Sequence, residues 1–140
     1  MDFKILYDSN DEISALRKQT FVIEKNVPED IEFDGRDAEY MHFCLYDNDT
    51  LVACARINKS GDIIHAGRVA VKTELRGKGY GRCLFDYITE YAKSNGCVGI
   101  ELGAIQTAVD FYKKIGFETL GDYYDEAGWP HIDMIKKIVG

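Results

Sequence analysis

The sequence predicts an α+β fold, a mixed and mostly antiparallel sheet with helices packed on its faces. Two patterns carry that prediction. From Met41 to Val71 three β-like stretches are joined by turn residues, which reads as an antiparallel meander. From Ile63 to Leu102 a strand, a helix and a strand follow one another, and that crossover requires a parallel pair. Length sets the scale: 140 residues suit one ordinary domain, since domains run roughly 100–200 residues. Residues 1–140 are therefore expected to form a single domain.

The elements follow in order. Phe3 to Tyr7 reads as a short strand. Ser9 and Glu12 have capping-box spacing, and Ile13, Leu16 and Thr20 then share one helical face, so a helix is expected from about Asp11 to about Ile23. Asn26 to Tyr40 is acidic and irregular. Met41 to Tyr46 alternates and ends in the turn residues Asp47-Asn48-Asp49. Leu51 to Asn58 is β-like, Ser60-Gly61-Asp62 turns the chain, and Ile63 to Val71 is the next strand. Gly79 to Lys93 has helical spacing and is stopped by Asn95-Gly96. Cys97 to Leu102 is an apolar strand, and Gln106 to Lys114 is a short helix ended by Gly116. Phe117 to Tyr123 and His131 to Ile138 are the last strands.

Composition narrows the function. With 46% apolar and 29% charged residues, the chain can bury enough surface to offset its ordering entropy. Seventeen basic residues against 24 acidic ones give a net charge of −7. Such a surface repels phosphate backbones and anionic lipid, so neither nucleic acid nor a membrane is an expected partner. The N-terminal stretch lacks the basic start and long apolar core of a secretory signal, and no apolar run reaches the ~18 residues of a membrane span. A cytoplasmic protein is expected, with Cys44, Cys54, Cys83 and Cys97 as reduced and mostly buried thiols. The spacing of cysteines and histidines offers no metal set.

The stretch from Val69 to Arg82 carries chemistry. A strand ends near Val71 and a helix begins near Gly79, with Arg76, Gly77, Lys78, Gly79 and Gly81 around the junction. Glycine lets a backbone approach a ligand closely. The first N–H groups of a helix lack intrahelical partners and lie at the positive end of its dipole. Arg76, Lys78 and Arg82 add cations in an otherwise acidic chain, so a diphosphate is the natural guest. Neither the mononucleotide phosphate-loop pattern nor G-x-G-x-x-G is met, because Arg82 stands where the latter needs its third glycine. A second stretch, Ala108 to Phe117, reads as a short amphipathic helix in which Tyr112 points away from the core-facing Phe111 and Ile115.

Together these stretches resemble the GNAT superfamily of N-acetyltransferases. Arg76, Gly79 and Gly81 match its [R/Q]-x-x-G-x-[G/A] loop after a strand. Ala108, Phe111, Tyr112, Gly116 and Phe117 match its A-x-x-F-Y-x-x-x-G-F signature. The segment from Phe21 to Phe43, with its Val-Ile-Glu, Pro28-Glu and Glu32-Phe-Asp34 runs, is similar to the small ElaA-like bacterial branch, as is Gly128-Trp-Pro-His131.

The resemblance implies a splayed parallel strand pair that holds acetyl-CoA as co-substrate, with direct acetyl transfer to a primary amine of a small acceptor. Val69, Ala70 and Val71 would offer backbone groups to the pantetheine arm, and Leu102 to Ala104 would form the other side of the splay. Arg76, Gly77, Lys78, Gly79, Tyr80, Gly81 and Arg82 would cradle the pyrophosphate. Gly103 departs from the family, which often has Asn there. Tyr112 is the expected general acid for the leaving thiolate. Glu32, Asp34, Asp37, His42 and His131 are candidates for the base, and His42 leads because histidine as a type titrates near neutral pH. The acids from Glu29 to Asp37 read either as a solvated loop or as a rim attracting a cationic amine, and Arg56 reads as a possible partner for one of them. Many such folds form homodimers. The rival expectation is a catalytically silent CoA-binding sensor or interaction module on the same fold; a mononucleotide phosphate-loop protein is the third.

Overall fold

The structure is a computed structural model and describes residues 1–138. Strand β1 (Asp2–Leu6) leads to helix α1 (Asp11–Arg17), which runs on as a π-helical stretch, Lys18–Ile23, and is followed by the short helix α2 (Glu29–Glu32). Strands β2 (Met41–Asp47), β3 (Thr50–Ser60) and β4 (Ile63–Val71) precede helix α3 (Tyr80–Ser94) and strand β5 (Gly99–Ile105). Helix α4 (Val109–Lys114) and the hairpin of β6 (Glu118–Glu126) and β7 (Trp129–Lys137) complete the order.

The strands form one seven-stranded sheet in the order β1-β2-β3-β4-β5-β7-β6. Among the described residues only β4 and β5 pair in parallel; every other pair is antiparallel. The α+β class and the meander are thus as the sequence indicates. Asn48 and Asp49 both take positive φ, 51° and 63°, the geometry of a primed hairpin turn whose twist suits the flanking strands. Sequence spacing does not reveal that β7 inserts between β5 and β6.

Alternation in β2 sorts the two faces of the sheet. Phe43 and Leu45 join Leu84, Phe85 and Ile88 of α3 and Ile100 of β5 in the larger core. Cys44 and Tyr46 face the other way and pack with Cys54, Ala70 and with Ile13 and Leu16 of α1. Helices therefore cover both faces. Cys44, Cys54 and Cys97 are buried and Cys83 is partly so, all as free thiols.

The expected Ser9–Glu12 box does not form. Asn10 is the N-cap, with an extended backbone, and its side chain accepts from the Ile13 N–H at 2.9 Å. The cap falls one residue later because Asn10 itself is among the best capping residues.

Candidate active site

The β4–β5 ladder stops early. Its last partners are Ala66 and Leu102, although β4 continues to Val71 along β3 and β5 continues to Ile105 along β7. A bulge is the cause. Register with β3 shifts between Arg56–Gly67 and Cys54–Ala70, so one residue of β3 stands against two of β4. Arg68 lies in that bulge with φ of 50°, a conformation rare for a residue with a Cβ. A bulge bends its strand and increases the local twist, which here turns Val69–Val71 away from Gly103–Ile105. Two strand edges are left with free backbone groups facing a cleft of about 370 Å³ lined by Val69, Gly103, Tyr112 and residues from the π-helical stretch and the β6–β7 hairpin.

At one end of the splay lies the glycine loop. Gly77 and Gly79 have φ of 77° and 88°, and a Cβ built on either would meet nothing within 4 Å. Their glycines thus answer to backbone conformation in open space, as a cradle requires. Gly79 caps α3, and Cys83 makes the first intrahelical bond back to the Gly79 carbonyl. The N–H groups ahead of it in the first turn are left for a ligand. Gly81 has a different reason, since a Cβ there would lie 3.1 Å from the Phe111 ring.

The side chains of this loop divide. Lys78 and Arg82 are exposed and form no ion pair among the described residues. Arg76 is engaged: it donates to the Val71 carbonyl at 3.1 Å and to the Glu24 carboxylate at 2.6 Å. Tyr80 turns its hydroxyl to Asp47, 2.5 Å away. Ala70 faces the α1 core, so only its backbone is available to the cleft strand.

Tyr112 is buried, 7% exposed, and lies on the cleft wall as part of the larger core, with Phe85 and Phe117 around its ring. Burial alone raises its phenol above the ordinary tyrosine value. It therefore stays protonated at neutral pH and can donate.

The base candidates separate sharply. His42 is 1% exposed, does not line the cleft, and its Nε2 donates to the Asp37 carbonyl at 2.8 Å. The strand alternation that buries Cys44 also carries His42 to the α1 side of the sheet, where it pins a loop. Glu32, Asp34 and Asp37 are engaged by Arg17, Arg56 and Arg68. Arg17 holds Glu32 at 2.7 Å and Asp37 at 2.8 Å. Arg56 holds Asp34 at 2.9 Å and Asp37 at 3.2 Å. Arg68 approaches Glu32 to 3.1 Å. Glu32, Asp34 and Asp37 thus form half of a charge-balanced cluster, while Glu29 and Asp30 of the same stretch are exposed. Burial raises the Glu32 carboxyl against the pull of these guanidinia. The Arg56 hydrogen bond takes Asp34 well below the usual aspartate range.

His131 does line the cleft. Its Nδ1 is 2.8 Å from the Trp129 carbonyl oxygen, which can only accept, so Nδ1 carries the proton. The neutral ring then keeps its lone pair on Nε2, and Glu126 Oε2 stands 3.8 Å from that atom. Tyr124 stacks on the ring at 6.1 Å between centroids and donates to Asp133 at 2.7 Å.

The Tyr124 hydroxyl also explains Gly103. A Cβ at 103 would lie 2.6 Å from it. Lys25, Arg68, Tyr124 and Trp129 are wall residues that the sequence reading did not assign a role. Nothing in sequence marks Arg68, whose part depends on a positive φ without glycine. Trp129 and His131 had a signal in the Gly128-Trp-Pro-His131 run.

A mixed sheet opened between its parallel strands, with a glycine loop at a helix start and a tyrosine in the opening, is the architecture of the N-acyltransferases. The chain belongs to the acetyltransferase (GNAT) domain family, which it matches over residues 9–138. Protein ElaA of Escherichia coli (strain K12) is 36% identical over 129 residues, covering 89% of this chain and 84% of ElaA. The crystal structure of Escherichia coli ElaA superposes with a TM-score of 0.82 at 32% identity, covering 96% of this chain and 98% of that one. An uncharacterized N-acetyltransferase, YjcF of Bacillus subtilis (strain 168), is 32% identical over 122 residues, 86% of this chain and 87% of YjcF. The crystal structure of an aminoglycoside 6'-N-acetyltransferase complexed with coenzyme A shares the fold, with a TM-score of 0.79 and 20% identity over 100% of this chain and 98% of that one.

Proposed function

We propose that this protein transfers the acetyl group of acetyl-CoA directly to a primary amine of a small acceptor, and that residues 1–140 act as one catalytic domain. The observation that carries the reading is the interrupted β4–β5 ladder, with free strand edges, a glycine cradle at one end and Tyr112 in the opening. A pantetheine arm has amides to complete such edges as an added strand would. The coenzyme A complex of a protein with the same fold supports the choice of carrier. Acetyl-CoA supplies the activated thioester; the chain supplies placement and proton handling.

The Val69–Val71 edge presents backbone N–H groups, and one fixed near the thioester oxygen stabilises the charge that develops there. The N–H groups at the start of α3, with Lys78 and Arg82 beside them, hold the diphosphate. Tyr112 donates to the departing thiolate. The unprotonated His131 Nε2 accepts the proton that the amine must lose, and Glu126 stabilises the imidazolium so formed. In this reading His131, which lines the cleft, acts as the base in preference to His42, which does not.

The test is release of free CoA thiol from acetyl-CoA with a panel of amines, alongside heat stabilisation by CoA. Gly79→Asp forces a carboxylate into the cradle at a φ of 88°. Loss of CoA stabilisation in that variant, with an intact fold, is expected. Normal CoA binding by the variant would remove the loop from the reading. Stabilisation without thiol release from any amine would leave a binding module in place of an enzyme.

A further inference from the structure

Among the described residues, Lys25 is the one lysine or arginine of the cleft wall without an ion pair. Glu32 is matched by Arg17 and Arg68, and Glu126 faces His131. Glu24, next in sequence to Lys25, is engaged by Arg76 and Thr73. Lys25 lines the same cleft and has no ion pair among the described residues. Its ammonium lies 5.7 Å from the Phe21 ring centroid, and its carbonyl accepts from Trp129 Nε1 at 2.8 Å. The backbone of Lys25 is thereby fastened to the β6–β7 hairpin, and its side chain has aromatic and aliphatic neighbours on the wall: Phe21, Val27, Ile31 and Trp129.

Resting on the acetyl-transfer reading, we infer that the acceptor is an amine that also carries a carboxylate on an apolar body, and that Lys25 binds that carboxylate. A half-buried cation without a partner is costly and is relieved by an anion from the ligand. Burial and the field of Arg76 lower the Lys25 pKa, and the nearby Glu24 offsets them only in part. The apolar wall selects the body of the ligand. The His131 end of the same cleft selects its free amine. Two anions could answer to Lys25, the acid of the acceptor and the diphosphate of the carrier. The acceptor is favoured because Lys25 lines the cleft together with His131 and Glu126, whereas Gly77, Lys78 and Gly79 do not line it.

Trp129 is the only tryptophan of the sequence and stands in this wall, so its fluorescence reports occupancy without any turnover. Phenylalanine, its amide, phenethylamine and 3-phenylpropionate make the titration set, each run with the full chain and with Lys25→Gln. Phenylalanine and 3-phenylpropionate are expected to saturate the signal, and phenethylamine and the amide to bind at least about tenfold more weakly. Lys25→Gln should erase that difference while keeping its heat stabilisation by acetyl-CoA. Equal binding of all four compounds, or no saturation by either carboxylate, overturns the inference. So does a Lys25→Gln variant that loses acetyl-CoA stabilisation but still prefers carboxylates, since Lys25 would then serve the diphosphate. The acetyl-transfer reading fails separately, by absence of thiol release while the fluorescence preference persists.

Discussion

Arg76 and Glu24, 52 residues apart, meet at 2.6 Å and join the glycine loop to the end of the π-helical stretch. Burial pulls the Glu24 carboxyl up, but Arg76 and Thr73 bring it below the ordinary glutamate value. Arg76, expected from sequence to face the phosphates, thus also acts as a strut between the glycine loop and Glu24. The strut and simple electrostatics predict opposite signs for Glu24→Ala. Removing a negative charge near a bound diphosphate would tighten acetyl-CoA. Removing a brace should weaken it, by less than about tenfold because the pair is partly exposed. Calorimetric titration of the variant with acetyl-CoA decides, and tighter binding would refute the strut.

Tyr112→Phe keeps the ring packing against Phe85 and Phe117 and removes only the proton donor. Turnover should fall by about 10²–10⁴, with acetyl-CoA binding unchanged. The pH profile adds an independent check. Burial raises the Tyr112 phenol, so the acid form persists to higher pH than a free phenol, whose pKa is about 10. The rate at saturating substrates should show no falling alkaline limb below pH ~10. A limb well below that, retained in Tyr112→Phe, would assign the acid to another group.

The parts of this site that local chemistry encodes were legible in sequence. Gly77 and Gly79 announce their positive φ, the helix start announces its free N–H groups, and Ala108 to Phe117 gives the Tyr112 helix. The pairing of Arg56 with nearby acids was also readable as a possibility, since a charged residue amid Cys54, Ala55 and Ile57 needs a partner if it is inward. What sequence hid depends on long-range geometry. The bulge at Arg68 is imposed by register between β3 and β4. The choice between His42 and His131 turns on which face of the sheet each occupies, and β7 reaches the cleft only because it inserts beside β5. No local pattern states that insertion.

The arginine–carboxylate cluster should control stability more than catalysis. Arg17 is 1% exposed and bonds Glu32 and Asp37, so Arg17→Met leaves buried carboxylates short of a partner. A loss of about 3–5 kcal/mol is expected from breaking such a pair, read by urea unfolding, with part recovered in Arg17→Met/Glu32→Gln. The pH dependence has a definite sign. Asp34 and Asp37 are held below the ordinary aspartate value. Their stabilisation is present above the unfolded pKa of about 3.9 and is lost as pH falls towards their folded values. Glu32, raised by burial, works the other way. Asp34→Asn should lower stability at neutral pH and flatten its fall below pH ~4. An unchanged acid slope would show that the cluster does not govern acid unfolding.

Gly103 faces Asp133 across the β5–β7 ladder, and Asp133 holds the Tyr124 hydroxyl that would meet a Cβ at position 103. The glycine and the tyrosine are therefore a matched pair: a side chain at 103 would take the volume that Tyr124 fills. Gly103→Asn should displace Tyr124 from Asp133 and disturb its stacking on His131. Because the displaced Tyr124 stacks on His131, the base of the proposed transfer, the acceptor KM should rise more than the acetyl-CoA KM. Opening the space should reverse part of the loss, so Gly103→Asn/Tyr124→Ala is expected to outperform Gly103→Asn despite carrying an extra substitution. Independent sites would add their losses instead, and their coupling is what a double-mutant cycle measures. If the double variant is worse by the sum of the two single changes, the steric pairing of Gly103 with Tyr124 does not limit the site.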